Sequence, residues 1–165
     1  KPKKVYLALG MGAWPQGVRQ VKLPLFKYTG AAGEKMVRVS EEGQSAHTLF
    51  RVLESFGGAP LHAVGLSALS LMEATLRTGR THQIRVHMQS QNCPIAGDER
   101  YGDYTANRHL KKLGLKRMFL HAHRLVLEHP ASGETLVLTA PLPEELRQML
   151  EGLRQGKGLP EKSAC

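Results

Sequence analysis

Two arginines, two histidines and a glutamine lie within nine consecutive residues, in the segment 79–87 that reads GRTHQIRVH. Arg80 and Arg85 are suited to binding a carboxylate or a phosphate, because a planar guanidinium presents paired donors in a fixed geometry. Two solvated arginines on a helix are the ordinary alternative. The loop that follows at 94–103, PIAGDERYGD, contains the chain's only two aspartates. Most of the chemically versatile side chains are therefore concentrated in one short region.

Such side chains need a rigid element to hold them. Ile84 and Met88 are four residues apart, which predicts a short helix with one apolar face. His82 and Arg85 are three residues apart and share a different face of that helix. A glycine before the helix and a Pro/Gly turn after it mark its ends. The sequence therefore predicts that Arg85 and His82 are presented from a helix.

The rest of the chain alternates in the manner of strands. Period-two patterns and turn residues predict strands at 5–9, 18–26, 36–39, 46–54, 60–76, 118–128 and 134–139. Two glycines at 57 and 58 suit a hairpin turn. Helical spacing predicts a basic helix at 107–113 and a last helix after Pro143, with Leu146 and Leu150 facing the core. These elements predict an α+β fold with a mostly antiparallel mixed sheet and a few short helices.

The charge of the chain points to a polyanionic partner. Its 165 residues are the size of one domain, predicted as residues 1–155 followed by a polar tail at 156–165. Lys and Arg number 23 against 14 Asp and Glu, a net charge of +9. Residues 1–33 and 107–124 contain bases and no acid, and the second stretch includes Lys111, Lys112 and Lys116. Clustered bases favour phosphate binding, although a solubilising face is the alternative.

Several classes of site are disfavoured by the composition. The chain has only two cysteines, Cys93 and Cys165, which favours a reducing, cytoplasmic setting. No apolar run approaches the roughly 20 residues that span a bilayer, so no membrane partner is expected. His82 and His87 are five residues apart, roughly 140° around a helix, so they cannot form an i, i+4 metal pair. No metal site is predicted; His82 is expected to be a hydrogen-bonding support and His121 a satisfied strand histidine.

The two motifs together resemble the signature of the RluA family of pseudouridine synthases, which isomerise uridine in structured RNA. GRTHQIRVH is followed at the family's spacing by PIAGDERYGD. KKVYLALG at 3–10 is similar to the family's Lys-x-Tyr-x-Ala strand, VRVSEEGQSAHTLFRV at 37–52 to the strand pair before the arginine motif, and RMFLHAHRL at 117–125 to its late Leu-His-Ala strand. The resemblance covers almost the whole chain and is closest to the RluC branch, whose substrate is large-subunit ribosomal RNA.

The resemblance implies a role for particular residues. By motif match, Tyr6 stacks on the target base and Arg85 pairs with the nucleophilic aspartate. Arg80, His82, Gln83 and Leu120 are implied as substrate-binding neighbours, although Leu120 fits core packing equally well. Uridine isomerisation breaks the glycosidic bond, turns the base and rejoins it through carbon, so the base must be flipped out and held. No metal or organic cofactor is implied.

One family motif is missing from this chain. The nucleophile belongs to a His-Arg-Leu-Asp motif that lies upstream of the Lys-x-Tyr strand in the family, and no such motif occurs here. The chain also begins with Lys1 rather than methionine. We therefore expect the C-terminal portion of a synthase, inactive alone, in which Arg85 lacks its natural carboxylate partner, the nucleophilic aspartate.

Sheet strands of the missing portion would be absent as well. An exposed apolar surface and an unpaired sheet edge would invite association. Asp98, after a glycine, is expected to cap the following turn beside the active site. The alternative function is a non-enzymatic RNA-binding domain derived from the same family.

Overall fold

The structure, a computed structural model, describes residues 2–155. Its elements are β1 (Lys3–Met11), β2 (Gln20–Val21), β3 (Leu25–Thr29), β4 (Lys35–Val39), β5 (Thr48–Gly57), α1 (Ala59–Ala63), β6 (Ala68–Leu76), α2 (Gln83–Ser90), α3 (Tyr104–Lys112), β7 (Leu120–Glu128), β8 (Thr135–Thr139) and α4 (Glu144–Arg154). The predicted tail at 156–165 lies outside the described residues.

The strands form two antiparallel sheets. Six strands pair in the order β2-β5-β6-β1-β7-β8, and β3 pairs with β4 in a separate hairpin. Short helices and antiparallel strands make an α+β fold, which confirms the predicted class. Strand β1 lies inside the larger sheet, so the Lys-x-Tyr segment is held by a partner on each side.

Two sequence predictions about the strands and their connections were wrong. Strands β5 and β6 do pair antiparallel, but α1 connects them in place of a glycine hairpin. Pro60 favours that helix because a proline in the first turn loses no intrahelical bond. The predicted strand at 18–26 exists only as the two residues of β2 and the start of β3. Pro24 separates them, since proline has no N–H group to donate to a neighbouring strand.

Helices cover both faces of the larger sheet. On one face Leu9 and Leu69 pack with Phe119 and with Leu146 and Leu150 of α4. The predicted apolar face of the last helix is therefore confirmed.

On the other face Ala8 and Met72 pack with Ile84 and Met88 of α2. Ala8 and Leu9 are neighbours that point to opposite faces, as strand geometry requires. Helix α2, which carries Arg85, is thus fixed to the sheet through its apolar side.

Cys93 is buried at the end of the turn after α2, against β1. A Cβ at Gly10 would lie 2.5 Å from Cys93 Sγ, so only glycine permits this approach. Burial raises the pKa of the thiol to about 11. The thiol is therefore packed as a small apolar side chain.

Strand β8 is an edge of the sheet and is exposed along its whole length. Leu136, Val137 and Leu138 are 36%, 55% and 57% exposed. The expected apolar surface and sheet edge are therefore present within residues 2–155, and their role in association stays a prediction. None of the helices in this range has the length and apolar character needed to span a bilayer.

Candidate active site and nucleic-acid interface

Helix α2 begins later than the sequence predicted. His82 has a left-handed backbone with φ of 54° and ends the preceding turn, so the helix starts at Gln83. Arg80 and His82 therefore precede the helix, and the expectation that His82 shares a helical face with Arg85 was wrong. A side chain explains the turn: Gln83 Oε1 accepts hydrogen bonds from Thr78 Oγ1 at 2.8 Å and from the backbone N–H of Arg80 at 2.9 Å.

The Gln83 amide group is fully engaged inside the fold. Its Nε2 donates to the carbonyl oxygen of His47 at 3.0 Å and to Thr48 Oγ1 at 2.8 Å. The residue is buried, which is possible because every polar atom of the amide has a partner. Gln83 thus ties the start of α2 to β5.

Arg85 forms a bidentate ion pair with Asp98. Its Nε donates to Asp98 Oδ2 and one Nη to Oδ1, both at 2.9 Å. The Asp98 side chain is fully buried and that of Arg85 is 17% exposed. The GDERYGD loop thus supplies Arg85 with a carboxylate other than the nucleophile, a partner that the sequence did not predict.

The surroundings of Asp98 keep it ionised. Burial alone raises the pKa of this carboxyl, but the Arg85 hydrogen bonds and the backbone N–H groups of Tyr101 and Arg100 oppose that effect. These N–H groups donate to Oδ1 at 3.0 and 2.9 Å. The net result is a pKa below the ordinary value of 3.8. The expected turn cap is confirmed, and the same carboxylate also holds the arginine.

Tyr101 joins three segments at one hydroxyl group. Its oxygen accepts from the backbone N–H of Val37 in β4 at 3.0 Å and lies 2.7 Å from His82 Nδ1. Because Val37 supplies the donor to the oxygen, the phenol hydrogen can be donated to a neutral His82. Burial and the charges of Arg85 and Arg100 lower the pKa of His82, which favours that neutral form. His82 is a hydrogen-bonding support, as predicted.

Tyr6 and Leu120 lie on the face of the sheet that α2 covers. Tyr6 pairs with Ala122 of β7, and Ala8 pairs with Leu120, so the four side chains point to one side. Tyr6 and Leu120 are partly buried against the apolar cluster that contains Ile84. The structure thus brings these two predicted residues to the helix that carries Arg85.

A basic cleft opens beside the Arg85 and Asp98 pair. Its volume is about 560 Å³, and Lys111, Lys116 and Arg117 line it together with the ion pair. Of the three predicted lysines, only Lys112 is not part of this lining.

Arg80 lies elsewhere. Its Nε donates to the carbonyl oxygen of Ser45 at 2.8 Å, and its side chain lines a separate hollow with Lys27. The two motif arginines therefore do not converge on one ligand.

Sequence reasoning missed part of the cleft wall. Helix α3 begins at Tyr104, three residues before the predicted start, and Asp103 caps it by accepting from the N–H of Ala106 at 3.0 Å. Its cleft-lining residues are Tyr104, Asn107, Arg108 and Lys111, at helical spacing i, i+3, i+4 and i+7. An aspartate before a basic amphipathic run was the signal for this start.

No group of three or more candidate metal ligands occurs in the part of the chain that the structure describes. His121 Nε2 and His123 Nδ1 instead lie 2.8 and 3.1 Å from the carbonyl oxygen of Ala140. His121 is thus hydrogen-bonded on its strand, as predicted.

The sequence matches the family model described as RNA pseudouridylate synthase over residues 1–90. Two curated relatives are both called ribosomal large subunit pseudouridine synthase C. The protein from Haemophilus ducreyi is 43% identical over 155 residues, which cover 94% of this chain and 45% of the relative. That from Escherichia coli strain K12 is 42% identical over 157 residues, covering 94% and 46%. The chain thus spans less than half the length of these relatives.

Solved structures agree with the sequence matches. Human RNA pseudouridylate synthase domain containing 4 is 29% identical with a TM-score of 0.66, covering 93% of this chain and 62% of that one. Human RNA pseudouridylate synthase domain containing 1 is 26% identical with a TM-score of 0.67, covering 97% and 68%. With a family match over more than half of its residues, the chain belongs to the RNA pseudouridylate synthase family, as its resemblance to the RluA enzymes predicted.

Proposed function

We propose that residues 1–155 form the C-terminal portion of the catalytic domain of a pseudouridine synthase that acts on specific uridines of large-subunit ribosomal RNA in the cytoplasm. Family membership and the names of the relatives support this proposal. The observation that carries it is that Arg85 lines a basic cleft and lies on the helix that packs against the face of the sheet with Tyr6 and Leu120.

In this proposal Arg85 positions the nucleophile. Its two bonds to Asp98 use Nε and one Nη, and within residues 2–155 the other Nη makes no hydrogen bond. That nitrogen can donate to a second carboxylate, the nucleophilic aspartate of the remaining part of the protein. Asp98 holds the guanidinium in place, and the positive charge keeps the nucleophile ionised.

The remaining site residues act on the RNA or through their neighbours. Tyr6 stacks on the flipped uracil while the glycosidic bond breaks and the ring turns, and Leu120 lines the same pocket. Lys111, Lys112 and Lys116 bind phosphates. The other three are positioning residues because each bonds inside the fold: Arg80 through Nε, His82 through Nδ1 and Gln83 through both polar atoms of its amide.

The activity can be tested in a chimera that joins the chain to the portion of the Escherichia coli relative that it does not match. We expect pseudouridine in unmodified ribosomal RNA, mapped chemically. Arg85→Lys should lower turnover by roughly 100-fold with little change in RNA affinity, because an ammonium cannot bind two carboxylates in the planar geometry. Arg154→Lys is the matched control, since Arg154 pairs with Glu54 on the surface. Wild-type turnover in Arg85→Lys would refute the catalytic role.

A non-enzymatic RNA-binding domain is the second candidate. Asp98 is bound to Arg85 and Asp103 caps α3, so both aspartates of the chain have structural partners. The isolated chain should therefore bind RNA without forming product. Product from the isolated chain, abolished by Asp98→Asn, would instead identify Asp98 as a nucleophile.

A further inference from the structure

Tyr104 is an aromatic residue with unusual exposure for its size. Its side chain is 77% exposed, more than any other large apolar residue in the described range. The Arg108 guanidinium carbon lies 5.9 Å from the centre of its ring, one helical turn along α3. An exposed ring with an arginine beside it contributes little to the stability of the fold. Its burial by a ligand therefore costs little free energy.

The position of this pair relative to Arg85 is fixed. Asn107, between Tyr104 and Arg108 on the same side of α3, accepts at Oδ1 from the N–H of Gly97 at 2.8 Å. Its Nδ2 donates to the carbonyl oxygen of Asp98 at 2.9 Å. One side chain therefore ties the cleft side of α3 to the loop that holds Arg85.

The charge of the cleft favours a polyanion. Arg108, Lys111, Lys116 and Arg117 line it, and in residues 2–155 none of them has a carboxylate within 4.0 Å. Glu99 is the opposing charge in the lining, since the Asp98 carboxylate is neutralised by Arg85. A volume of about 560 Å³ accommodates a nucleotide with its phosphate.

We propose that Tyr104 and Arg108 form a stacking subsite for an unpaired base next to the target uridine, while Lys111, Lys116 and Arg117 bind the adjoining phosphates. The inference rests on the proposed RNA substrate. Aromatic rings bind single-stranded bases through their faces, with little dependence on sequence, and an adjacent arginine adds a cation–π contribution. The subsite therefore orients the strand and leaves base identity to other contacts.

The test uses the full 165-residue chain and a short single-stranded RNA with one uridine and 2-aminopurine placed at each position in turn. Stacking quenches 2-aminopurine fluorescence. We expect quenching at one position close to the uridine, lost in Tyr104→Ala and kept in Tyr104→Phe. Affinity should fall by roughly 5- to 150-fold in Tyr104→Ala, the range found for single base–aromatic stacks.

Salt titration separates stacking from charge. Tyr104→Ala should leave the slope of log affinity against log salt unchanged, whereas Lys111→Ala should reduce it by about 0.7 for one phosphate of a single strand. Tyr28→Ala is the matched control, because Tyr28 also lies 5.9 Å from an arginine, Arg38, but outside the cleft. Its affinity and quenching should equal those of the wild type.

Wild-type affinity and quenching in Tyr104→Ala, or an equal loss in Tyr28→Ala, would overturn the subsite while leaving the proposed function standing. A wild-type chain that binds no RNA would overturn both. A chimera without pseudouridine-forming activity, together with a Tyr104-dependent quench, would refute the proposed function alone.

Discussion

Asp98 shows how one buried carboxylate can serve two purposes. It accepts a backbone hydrogen bond that closes the turn of its own loop, and it also binds the guanidinium of Arg85. A buried pair of this kind is sensitive to the loss of either member, because the remaining charge keeps its desolvation cost without its compensation. The orientation of the Arg85 guanidinium therefore depends on a residue that need not touch the substrate.

Asp98→Asn should lower the free energy of unfolding by about 3–5 kcal/mol, because it leaves the largely buried Arg85 without a counter-charge. Urea denaturation at neutral pH measures this loss. Glu54→Gln is the control, since the pair between Glu54 and Arg154 is exposed and should cost less than about 1 kcal/mol. Equal losses in the two variants would contradict the structural role of Asp98.

The same carboxylate predicts a pH dependence. The pKa of Asp98 is lowered in the folded state, so its contribution to stability is complete above the unfolded pKa of about 3.9. The contribution is lost as pH falls through the lower, folded pKa. The difference in unfolding free energy between wild type and Asp98→Asn should be constant from about pH 7 to 5 and shrink below about pH 4. A difference that grows on acidification would reverse the assigned sign.

At the scale of elements, the hairpin of β3 and β4 is attached to the active-site loop rather than to the larger sheet. The hydroxyl oxygen of Tyr101 accepts a hydrogen bond from the N–H of Val37, and Arg100 Nη1 donates to the carbonyl oxygen of Lys35 at 2.8 Å. Leu25 and Val37 also pack with Tyr101. The loop that orients Arg85 is therefore stabilised by a hairpin that is distant in sequence.

Tyr101→Phe should destabilise the chain by about 1–3 kcal/mol, because it leaves the buried N–H of Val37 without an acceptor. Amide exchange at Val37 should accelerate with it. Tyr104→Phe, at an exposed ring, should change stability by less than about 0.5 kcal/mol. No difference between the two variants would show that the hydroxyl of Tyr101 has no bracing role.

The sequence predicted periodic elements better than their junctions. The apolar face of α4 was identified because its buried residues recur at helical spacing, and β1 was identified as a strand although both of its faces are buried. The helix α1 was missed although Pro60 in its first turn was a local signal for it. The left-handed turn at His82 was missed because the hydrogen bonds of the Gln83 side chain stabilise it.

The candidate site divides in the same way. Arg85 and Tyr6 were identifiable from short motifs. The partnership of Arg85 with Asp98 was missed because 13 positions separate them and only the folded loop brings them together. Tyr104 was overlooked as a cleft residue because its helix was predicted to start at residue 107.

For the molecule as a whole, the net charge of +9 matters less than where the bases lie. Besides the paired Arg85, four of them line the cleft, namely Arg108, Lys111, Lys116 and Arg117. A local cluster binds several phosphates at once and releases their counterions together, which dispersed charges do not achieve.

Replacing Lys111, Lys112 and Lys116 together with glutamine should reduce the slope of log affinity against log salt by up to about 2 for single-stranded RNA. The loss should be similar for RNAs of different sequence, because phosphate contacts do not specify bases. The control replaces Lys22, Lys27 and Lys35, which changes net charge equally outside the cleft. Equal slopes in the two triple variants would show that only overall charge matters.

The close contact between Gly10 and Cys93 makes the Cys93 thiol a probe of local opening. Only a thiolate reacts with an alkylating reagent, and the buried Cys93 thiol has a pKa of about 11. Alkylation of Cys93, in a Cys165→Ser background, therefore proceeds only while the turn after α2 separates from β1. Since this turn directly follows α2, which carries Arg85, the labelling rate with and without RNA reports how strongly a bound strand suppresses local opening behind the active site.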